Sequence, residues 1–478
     1  MKVRNGWWIG GAVLALVAGG AALAVLQQAG VAPRVLARYV ERRAEGHNPV
    51  IVGAAALAAR SAERVDRGEG GAVLPEGLRI GAQAEAMGAE AAAAGREIMI
   101  DSVEQLSATV AAAQAGDVLT ILPGQYRLTR AIGLTRAGTS ARPIVLRARE
   151  PGSVVIEADT VQAFVVGGSD WRVENLTIRG VCTDHGDCEH AFHVVAGGSR
   201  FTALNNTISD FNAHFKVNGE DGRFPDGGRI EGNTLDNSGV RRVASAVTAI
   251  DMVAVSGWTV RRNVIRDFIK GGGDQVSYGA YAKGAGAHNL FEQNVVLCES
   301  KLRGLPGARV GLSLGGGGSG APFCRDRRCI TEQEDSTLRA NLIASCSDAG
   351  IYLNSAARST ISDNTLLDTA GIDVRFAASS ARLDGNLVDG AIRSRNDGVL
   401  YLGENDSTAT AALFLGWHPV RRLFTKADAL ALGWAGGVPR RAGDSNKPGE
   451  DLCGAIRPAT AALGAFEDFS ACLQNEHR

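Results

Sequence analysis

Four segments of the chain carry an ionisable side chain about 11 to 13 residues before a recurring asparagine. These side chains belong to His193 in AFHVV, Lys216 in HFKVN, Asp251 in AIDMV and Lys283 in AYAKG. Lys216 fits the spacing only when part of the polar insertion GEDGRFPD is left out of the count. If the segments are neighbouring parallel strands, equivalent side chains stack about 4.8 Å apart. We interpret the four residues as one column on an outward face.

A column of this composition could break a uronate glycosidic bond by elimination. That reaction needs a base for the C5 proton, cations beside the carboxylate and a proton donor for the leaving oxygen. We assign the role of base to Lys283, and the role of carboxylate-stabilising cation to Arg309 and Lys216. The donor is His193 or Tyr281. Neighbouring positive charges favour the neutral amine that a lysine base requires.

Further side chains near the column are candidates for substrate binding, together with two of its members: Lys216, Asp251, His190, His214 and Tyr281. Glycine-rich stretches before Gln275 and after Ser313 would leave room for a chain-like ligand. The alternative for each residue is that it is polar only because it faces water. Asp251 would then pair with a lysine, and His190 would order the neighbouring loop.

The asparagines behind this count recur along most of the chain. Each is followed by two or three mostly aliphatic residues, and the gaps are about 20–30 residues, with one longer gap. The set is Asn175, Asn206, Asn233, Asn263, Asn294, Asn341, Asn364 and Asn386. Short β-branched runs broken by Gly, Ser, Asp and Asn at such a period indicate stacked coils of strands and turns. We predict an all-β, right-handed parallel β-helix in which asparagine amides bond between coils.

The amino terminus carries an uncharged apolar run over residues 7–26, with Lys2 and Arg4 before it. The run is long enough to cross a membrane, and the preceding charges favour the inside. We interpret it as an uncleaved transmembrane anchor. A cleavable signal peptide is the alternative.

The remaining segments complete the predicted domain organisation. Ser102 has the position of an N-cap for a helix that closes the first coil, as the end of a solenoid requires. The predicted ranges are 1–30 for the anchor or signal peptide, 31–96 for a helical stalk or linker, 97–400 for the β-helix with its helical cap, and 401–478 for a C-terminal cap.

The eight cysteines predict disulfides rather than a metal site, because no CxxC or histidine spacing typical of zinc is present. The predicted pairs are Cys182 with Cys188, Cys298 with Cys346, Cys324 with Cys329, and Cys453 with Cys472. Disulfides form in oxidising compartments. We therefore expect an inner-membrane-anchored chain with a periplasmic β-helix, or a secreted or periplasmic protein if the first segment is removed.

The runs AGDVLTILPGQYRL and GTSARPIVLRAREPGSVVIEA resemble the opening coils of the chondroitinase B and alginate lyase group of β-helix polysaccharide lyases. A later segment resembles the lysine site of this group, with Lys283 upstream of an N-x-F-x-x-N pattern that starts at Asn289. The resemblance implies that Lys283 removes the proton next to the uronate carboxylate, assisted by Arg309 one coil later. The lyases place two acidic calcium ligands shortly before the lysine, where residues 276–279 here read VSYG. No cofactor is assigned; calcium is the alternative that the resemblance leaves.

The sequence supports two hypotheses for function. The first is an exported enzyme that cleaves an acidic, uronate-containing polysaccharide by β-elimination, with uronate epimerisation sharing the first proton abstraction. The second is a non-catalytic β-helix that binds glycan or scaffolds an envelope assembly. The formal net charge of -1 gives no basic field for nucleic acid. The expected partners are an acidic polysaccharide and, through the N-terminal helix, a membrane; we expect a monomer.

Overall fold

The computed structural model describes residues 20–21, 23–68, 70–85, 95–316, 318–442 and 449–474. The predicted membrane segment, residues 7–26, lies mostly outside these ranges. Within them, no helix combines the length and the apolar character needed to span a bilayer.

Three long parallel sheets form the walls of a solenoid, and each complete coil supplies one strand to sheet 1, then sheet 2, then sheet 3. Sheet 1 contains β1 (Glu97–Ile100), β2 (Val118–Ile121), β5 (Ile144–Ala148), β8 (Trp171–Glu174), β11 (Thr202–Leu204), β14 (Arg229–Glu231), β17 (Thr259–Arg261), β21 (Leu290–Glu292), β25 (Thr337–Arg339), β29 (Ser359–Ser362), β32 (Ser380–Asp384) and β35 (Val399–Leu402). Sheet 2 contains β3 (Gly124–Leu128), β6 (Val154–Ala158), β9 (Thr177–Gly180), β12 (Thr207–Ser209), β15 (Thr234–Asp236), β18 (Val264–Arg266), β22 (Val295–Leu297), β26 (Leu342–Ala344), β30 (Thr365–Leu367), β33 (Leu387–Val388) and β36 (Asp406–Ser407). Sheet 3 contains β4 (Ile132–Leu134), β7 (Gln162–Val166), β10 (His190–Val195), β13 (Ala213–Asn218), β16 (Val247–Val253), β19 (Val276–Lys283), β23 (Ala308–Leu314), β27 (Ile351–Asn354), β31 (Gly371–Arg375) and β34 (Ala391–Arg395). The predicted all-β parallel β-helix is confirmed.

Smaller elements complete the described part of the chain. A short parallel sheet contains β20 (Gly286–Ala287), β24 (Gln333–Glu334) and β28 (Ala356–Ala357). Two antiparallel pairs in the C-terminal region join β37 (Phe424–Lys426) to β38 (Ala431–Trp434) and β39 (Arg440–Ala442) to β40 (Thr460–Ala462). The helices with defined bounds are α1 (Pro33–Ala44), α2 (Pro49–Arg67), α3 (Val103–Ala112) and α4 (Thr410–Phe414).

An asparagine ladder follows the turn between sheets 1 and 2. At its centre, Oδ1 of Asn294 accepts hydrogen bonds of 3.0 Å from the backbone N–H and the amide of Asn263, and Nδ2 of Asn294 donates to Val260 O. Seven predicted residues belong to the ladder, which ends at Asn405, a residue the prediction missed. Asn175 is displaced by one position. It bonds to Asn205, while Leu176 occupies the ladder position.

The core is a continuous stack of inward-facing side chains. On sheet 3, the rings of Phe164, Phe192 and Phe215 stack with centroids 5.2 and 5.3 Å apart. Such stacking follows from the parallel register, which repeats each inward position once per coil. Helix α3 closes the first coil with Leu106 and Val110 buried, and the hydroxyl of Ser102 accepts a hydrogen bond from Gln105 N as predicted.

Helices α1 and α2 pack against the solenoid, so the predicted stalk over residues 31–96 is wrong for these helices. Arg34 is fully buried and forms an ion pair of 2.6 Å with Asp66. The same guanidinium donates to Cys346 O at 2.9 Å and lies 3.0 Å from Asp368. Residues 70–85 continue along the solenoid, where Gly81 N donates to Arg262 O. Buried ion pairs and the apolar contacts of residues such as Ala32, Ala72 and Ile80 together hold this segment on the solenoid.

All four predicted disulfides are present, and free cysteines are absent from the described residues. The pair Cys298–Cys346 links adjacent coils after β22 and β26. The pair Cys324–Cys329 closes a short loop outside sheet 3.

Candidate active site

The outer face of sheet 3 brings three of the four predicted column residues together. His193 pairs in register with Lys216, and Lys216 pairs with Asp251. Nζ of Lys216 lies 3.0 Å from Oδ2 of Asp251. The position that follows Asp251 in this column belongs to Tyr281.

Lys283 therefore lies two residues away from its predicted place. It pairs with Val253, at the end of the eight-residue strand β19. Counting back from the asparagine misplaced it because a window of 11 to 13 residues admits both Tyr281, 13 residues before Asn294, and Lys283, 11 residues before it. Residues two apart on a strand face the same way, so Lys283 remains on the outer face. Its Nζ lies 4.6 Å from the centroid of the Tyr281 ring.

An open cleft of about 650 Å³ lies over this part of sheet 3. Its floor includes Lys216, Asn218 and Lys283, and its walls are two loops, residues 219–224 and 318–327. The floor presents two ammonium groups, and among the described residues no carboxylate lies within ion-pair distance of Lys283. The cleft thus combines these ammonium groups with room for a chain-like ligand, while Glu220 and Asp221 place negative charge on one wall.

The two wall loops are joined across the cleft by a residue that the sequence analysis did not single out. Arg325 lies between Cys324 and Cys329, and its guanidinium donates two hydrogen bonds, of 2.8 and 2.7 Å, to Asp226. The same group lies 4.4 Å from the centroid of Phe224. Two sequence features belong to this wall, the CRDRRC loop and the polar insertion GEDGRFPD, and nothing in their spacing indicates that they meet.

The glycine-rich wall is held by a buried carboxylate, which was also missed. Glu332 accepts hydrogen bonds from Gly316 N at 3.2 Å and from Gly318 N at 3.0 Å. A Cβ atom at Gly316 would lie 2.8 Å from Cδ of Lys283, so a larger residue here would displace the lysine side chain. Glu332 and Gly316 together fix one side of the Lys283 stem.

Tyr281 is almost completely buried beneath the wall loops. Burial, followed by the negative charge of Asp251, raises the pKa of the Tyr281 hydroxyl well above its ordinary value of 10.0. Its ring meets that of Tyr278 edge-on, with centroids 5.4 Å apart. The hydroxyl is therefore held protonated at neutral pH, the form that can donate a proton.

His190 and His193 lie on β10, the first strand of the column, with ring centroids 5.1 Å apart. Nε2 of His193 is 2.7 Å from Oδ1 of Asn218, and burial lowers the His193 pKa. Burial and the neighbouring His193 lower the pKa of His190 to about 3. Both imidazoles are therefore neutral at pH 7, so they can form hydrogen bonds with a sugar but add no positive charge.

Arg309 is not part of the cleft, which corrects its predicted role. It pairs in register with Ser277, near the opposite end of β19 from Lys283, and its side chain is 0% exposed. Its Nη1 donates to the carbonyl oxygens of Leu305 and Gly307 at 2.7 Å, and its Nε lies 3.6 Å from Glu299. Burial lowers the Arg309 pKa to about 10. Arg309 is a structural residue inside the fold.

His214 is also withdrawn from the predicted substrate-binding set. It is fully buried, and its Nε2 lies 3.0 Å from Asp236 O. Burial lowers its pKa to about 4. On β13 it precedes the outward Lys216 by two residues, but an imidazole without exposed surface cannot contact a polysaccharide.

The donor set near Lys283 does not fit a calcium ion. Calcium takes six to eight oxygen ligands, usually with several carboxylates. The acidic side chain of the column beside Lys216 is Asp251, and it already forms an ion pair with that lysine. In the ranges that the structure covers, no group of three or more His, Cys, Asp or Glu side chains is placed to hold a metal ion.

The chain is similar to proteins of known family and structure. The chondroitinase B family model matches residues 100–236, a range that ends before Lys283. The structure of pectate lyase Pel9A is 13% identical and has a TM-score of 0.50, over 79% of this chain and 97% of that one. An alginate lyase from Paenibacillus sp. strain FPU-7 is 15% identical, with a TM-score of 0.39 over 66% of this chain and 100% of that one.

A third similar structure is the A-module of the Azotobacter vinelandii mannuronan C-5 epimerase AlgE4. It is 15% identical, with a TM-score of 0.41 over 66% of this chain and 93% of that one. No curated protein matches the chain. The likeness to Pel9A shows the β-helix fold, and the family model supports the resemblance seen in the opening coils.

Proposed function

We propose that this chain is an exported enzyme that cleaves an acidic, uronate-containing polysaccharide by β-elimination. The observation that carries the proposal is the placement of Lys283 on the floor of the cleft, with its Nζ 4.6 Å from the Tyr281 ring centroid. No carboxylate of the described residues holds this ammonium in an ion pair. A lysine so placed can approach a sugar ring and, in its neutral form, act as a base.

In the proposed reaction, the neutral amine of Lys283 takes the C5 proton of the uronate. The electrons of the C5–H bond form a C4=C5 double bond while the bond from C4 to the glycosidic oxygen breaks. The hydroxyl of Tyr281 gives its proton to that oxygen. The ammonium of Lys283 then returns a proton to the Tyr281 phenolate, which restores the enzyme without a co-reactant.

Lys216 is the proposed partner of the substrate carboxylate. Abstraction of the C5 proton moves negative charge onto the carboxylate, and a nearby cation stabilises that charge. Lys216 lines the cleft, while Arg309, the other predicted cation, is enclosed elsewhere. Tyr281 is a better placed donor than His193, because it lies beside Lys283 whereas His193 lies next to Asn218.

Export is supported by the four disulfides, which form and persist in oxidising compartments. The family-model match over residues 100–236 supports a polysaccharide substrate. A uronate epimerase shares the same proton abstraction and differs in the fate of the intermediate.

The test uses the purified full chain with alginate, chondroitin, dermatan and pectate. We expect absorbance at about 235 nm to rise with one of them, because elimination creates a double bond conjugated to the carboxylate. Lys283→Ala should abolish this product while binding of the polysaccharide, measured by calorimetry, persists. Lys301→Ala removes an exposed lysine outside the cleft and should retain activity.

Three other results would contradict the proposal or one of its assignments. Solvent deuterium at C5 without chain cleavage would show an epimerase. Binding without either product would show the non-catalytic glycan-binding alternative. Unchanged activity in Lys283→Ala would remove Lys283 from the mechanism.

A further inference from the structure

Helix α2 has an inverted surface pattern. Its packed side includes Ala59 and Asp66, which are buried. The opposite side carries a mostly apolar stripe at spacings of four, three, four and four residues: Val50, Ala54, Leu57, Ser61 and Val65. The exposed Arg60 and Arg64 lie along one edge of it. Val50 is 80% exposed and Leu57 is 64% exposed. A helix on the surface of a soluble protein normally turns polar residues outward, so an outward apolar stripe marks an interaction surface.

The stripe continues onto the C-terminal region. A Cβ atom at Gly416 would lie 3.6 Å from Cγ1 of Val65, which places the turn after α4 against this end of α2. The residues on either side, Leu415 and Trp417, are 65% and 52% exposed. Tryptophan combines an apolar body with a polar N–H and is enriched where lipid meets water. We define the outward stripe of α2 together with Leu415 and Trp417 as the α2 face.

The apolar N-terminal run ends beside this face. Residues 23–29 are helical, and Oε1 of Gln27 accepts a hydrogen bond of 3.0 Å from Ala411 N in α4. Gly30 O accepts from Arg393. The uncharged run over residues 7–26 thus reaches the solenoid within one helical turn of Leu415. The described end of the apolar run therefore lies next to α4, beside the α2 face.

We propose that the α2 face lies on the surface of a lipid bilayer. The occupant is identified by the apolar run that ends there and by the composition of the face, an outward apolar stripe with a tryptophan at its end. Arg60 lies along one edge of the stripe, where its guanidinium can contact lipid phosphates. A helix with this arrangement buries its apolar side at the boundary between head groups and acyl chains.

The test places single cysteine labels on the full chain, reconstituted in vesicles of phosphatidylcholine and phosphatidylglycerol. Leu57→Cys carries a fluorophore on the α2 face. Tyr401→Cys is the matched control, because Tyr401 is 63% exposed and lies on sheet 1. We expect iodide quenching of the label at 57 to fall about threefold on reconstitution, with quenching by brominated lipid in its place. The label at 401 should remain open to iodide.

A second experiment tests the same face without a label on α2. Val50→Glu combined with Leu57→Glu should restore iodide access to a label at Trp417→Cys, whereas Tyr401→Glu should not. Equal iodide access at positions 57 and 401 would overturn the proposal. Shielding of position 57 without quenching by brominated lipid would also overturn it, because the face would then be covered by protein.

Discussion

The Nζ atom of Lys216 lies 3.0 Å from Oδ2 of Asp251, its register partner on the adjacent strand of sheet 3. The side chain of Asp251 is almost fully buried, whereas that of Lys216 retains some exposure. The carboxylate therefore holds the ammonium at the floor of the cleft, and its charge also acts on Tyr281. Asp251 is a positioning residue for the two groups on either side of it.

Replacing Asp251 by alanine should lower kcat/KM on the cleaved polysaccharide by about 10- to 100-fold, because Lys216 loses its fixed position. Initial rates across substrate concentration measure the change, and circular dichroism confirms folding. Asp274→Ala is the control, since it removes the 2.7 Å partner of Lys270, outside the cleft. An unchanged kcat/KM in Asp251→Ala would contradict the assignment.

Replacing Asp226 by alanine should release Arg325 and loosen the junction between the two wall loops. We expect KM to rise about tenfold with little change in kcat, because the walls bind the substrate but do not react with it. Asp335→Ala provides the comparison, as it removes a similar two-bond contact to Arg358 on another surface. A fall in kcat as large as that of Lys283→Ala would show that the walls take part in the chemistry.

Arg309→Met should destabilise the protein by about 1–3 kcal/mol, because the carbonyl oxygens of Leu305 and Gly307 lose their donor, while Glu299 keeps Arg67 as its counter-charge. The folded fraction should keep its kcat. Glu299→Met should cost more stability than Arg309→Met, since it leaves both Arg67 and Arg309 without this counter-charge. Urea unfolding of the three proteins measures the difference. Loss of activity in well-folded Arg309→Met would restore a role for Arg309 in the reaction.

His214 should make the protein less stable in mild acid. Its folded-state pKa, about 4, lies below the ordinary value of 6.5, so the unfolded chain binds the proton more strongly between these values. Stability therefore falls as the pH falls through this window, by about 2 kcal/mol for this group between pH 7 and pH 5. Urea unfolding at both pH values should show a smaller fall in His214→Gln. His47→Gln, on the exposed connection between α1 and α2, should retain the full difference.

The fold was predictable from the sequence because every coil of the β-helix carries the same pattern of strand residues, turn residues and asparagine. Seven ladder asparagines share one backbone role, so their spacing fixed the coil register. The cysteine pairs followed from short separations and from adjacent ladder positions. The assignment of Asn175 to the ladder was wrong by one residue. The next coil has two adjacent asparagines, Asn205 and Asn206, and spacing alone does not show which of them occupies the same position as Asn175.

The site was less predictable because it depends on strand lengths and on loops. The count fitted His193 and Asp251, but its window of 11 to 13 residues admitted Lys283 as well as Tyr281, and the register places Tyr281 in the column. Arg309 was assigned by resemblance, and sequence spacing could not show that Glu299 encloses it. The contact between Arg325 and Asp226 joins loops 99 residues apart, a separation beyond any local pattern.

The docking of α1 and α2 bears on how the chain can be shortened. Arg34 and Arg67 reach from these helices to Asp368 and Glu299 of the solenoid, and each ion pair is almost fully buried. A fragment trimmed to start at the first strand would leave both carboxylates without these counter-charges. The helical segment is thus part of the folding unit, and soluble fragments of this protein should begin before Arg34.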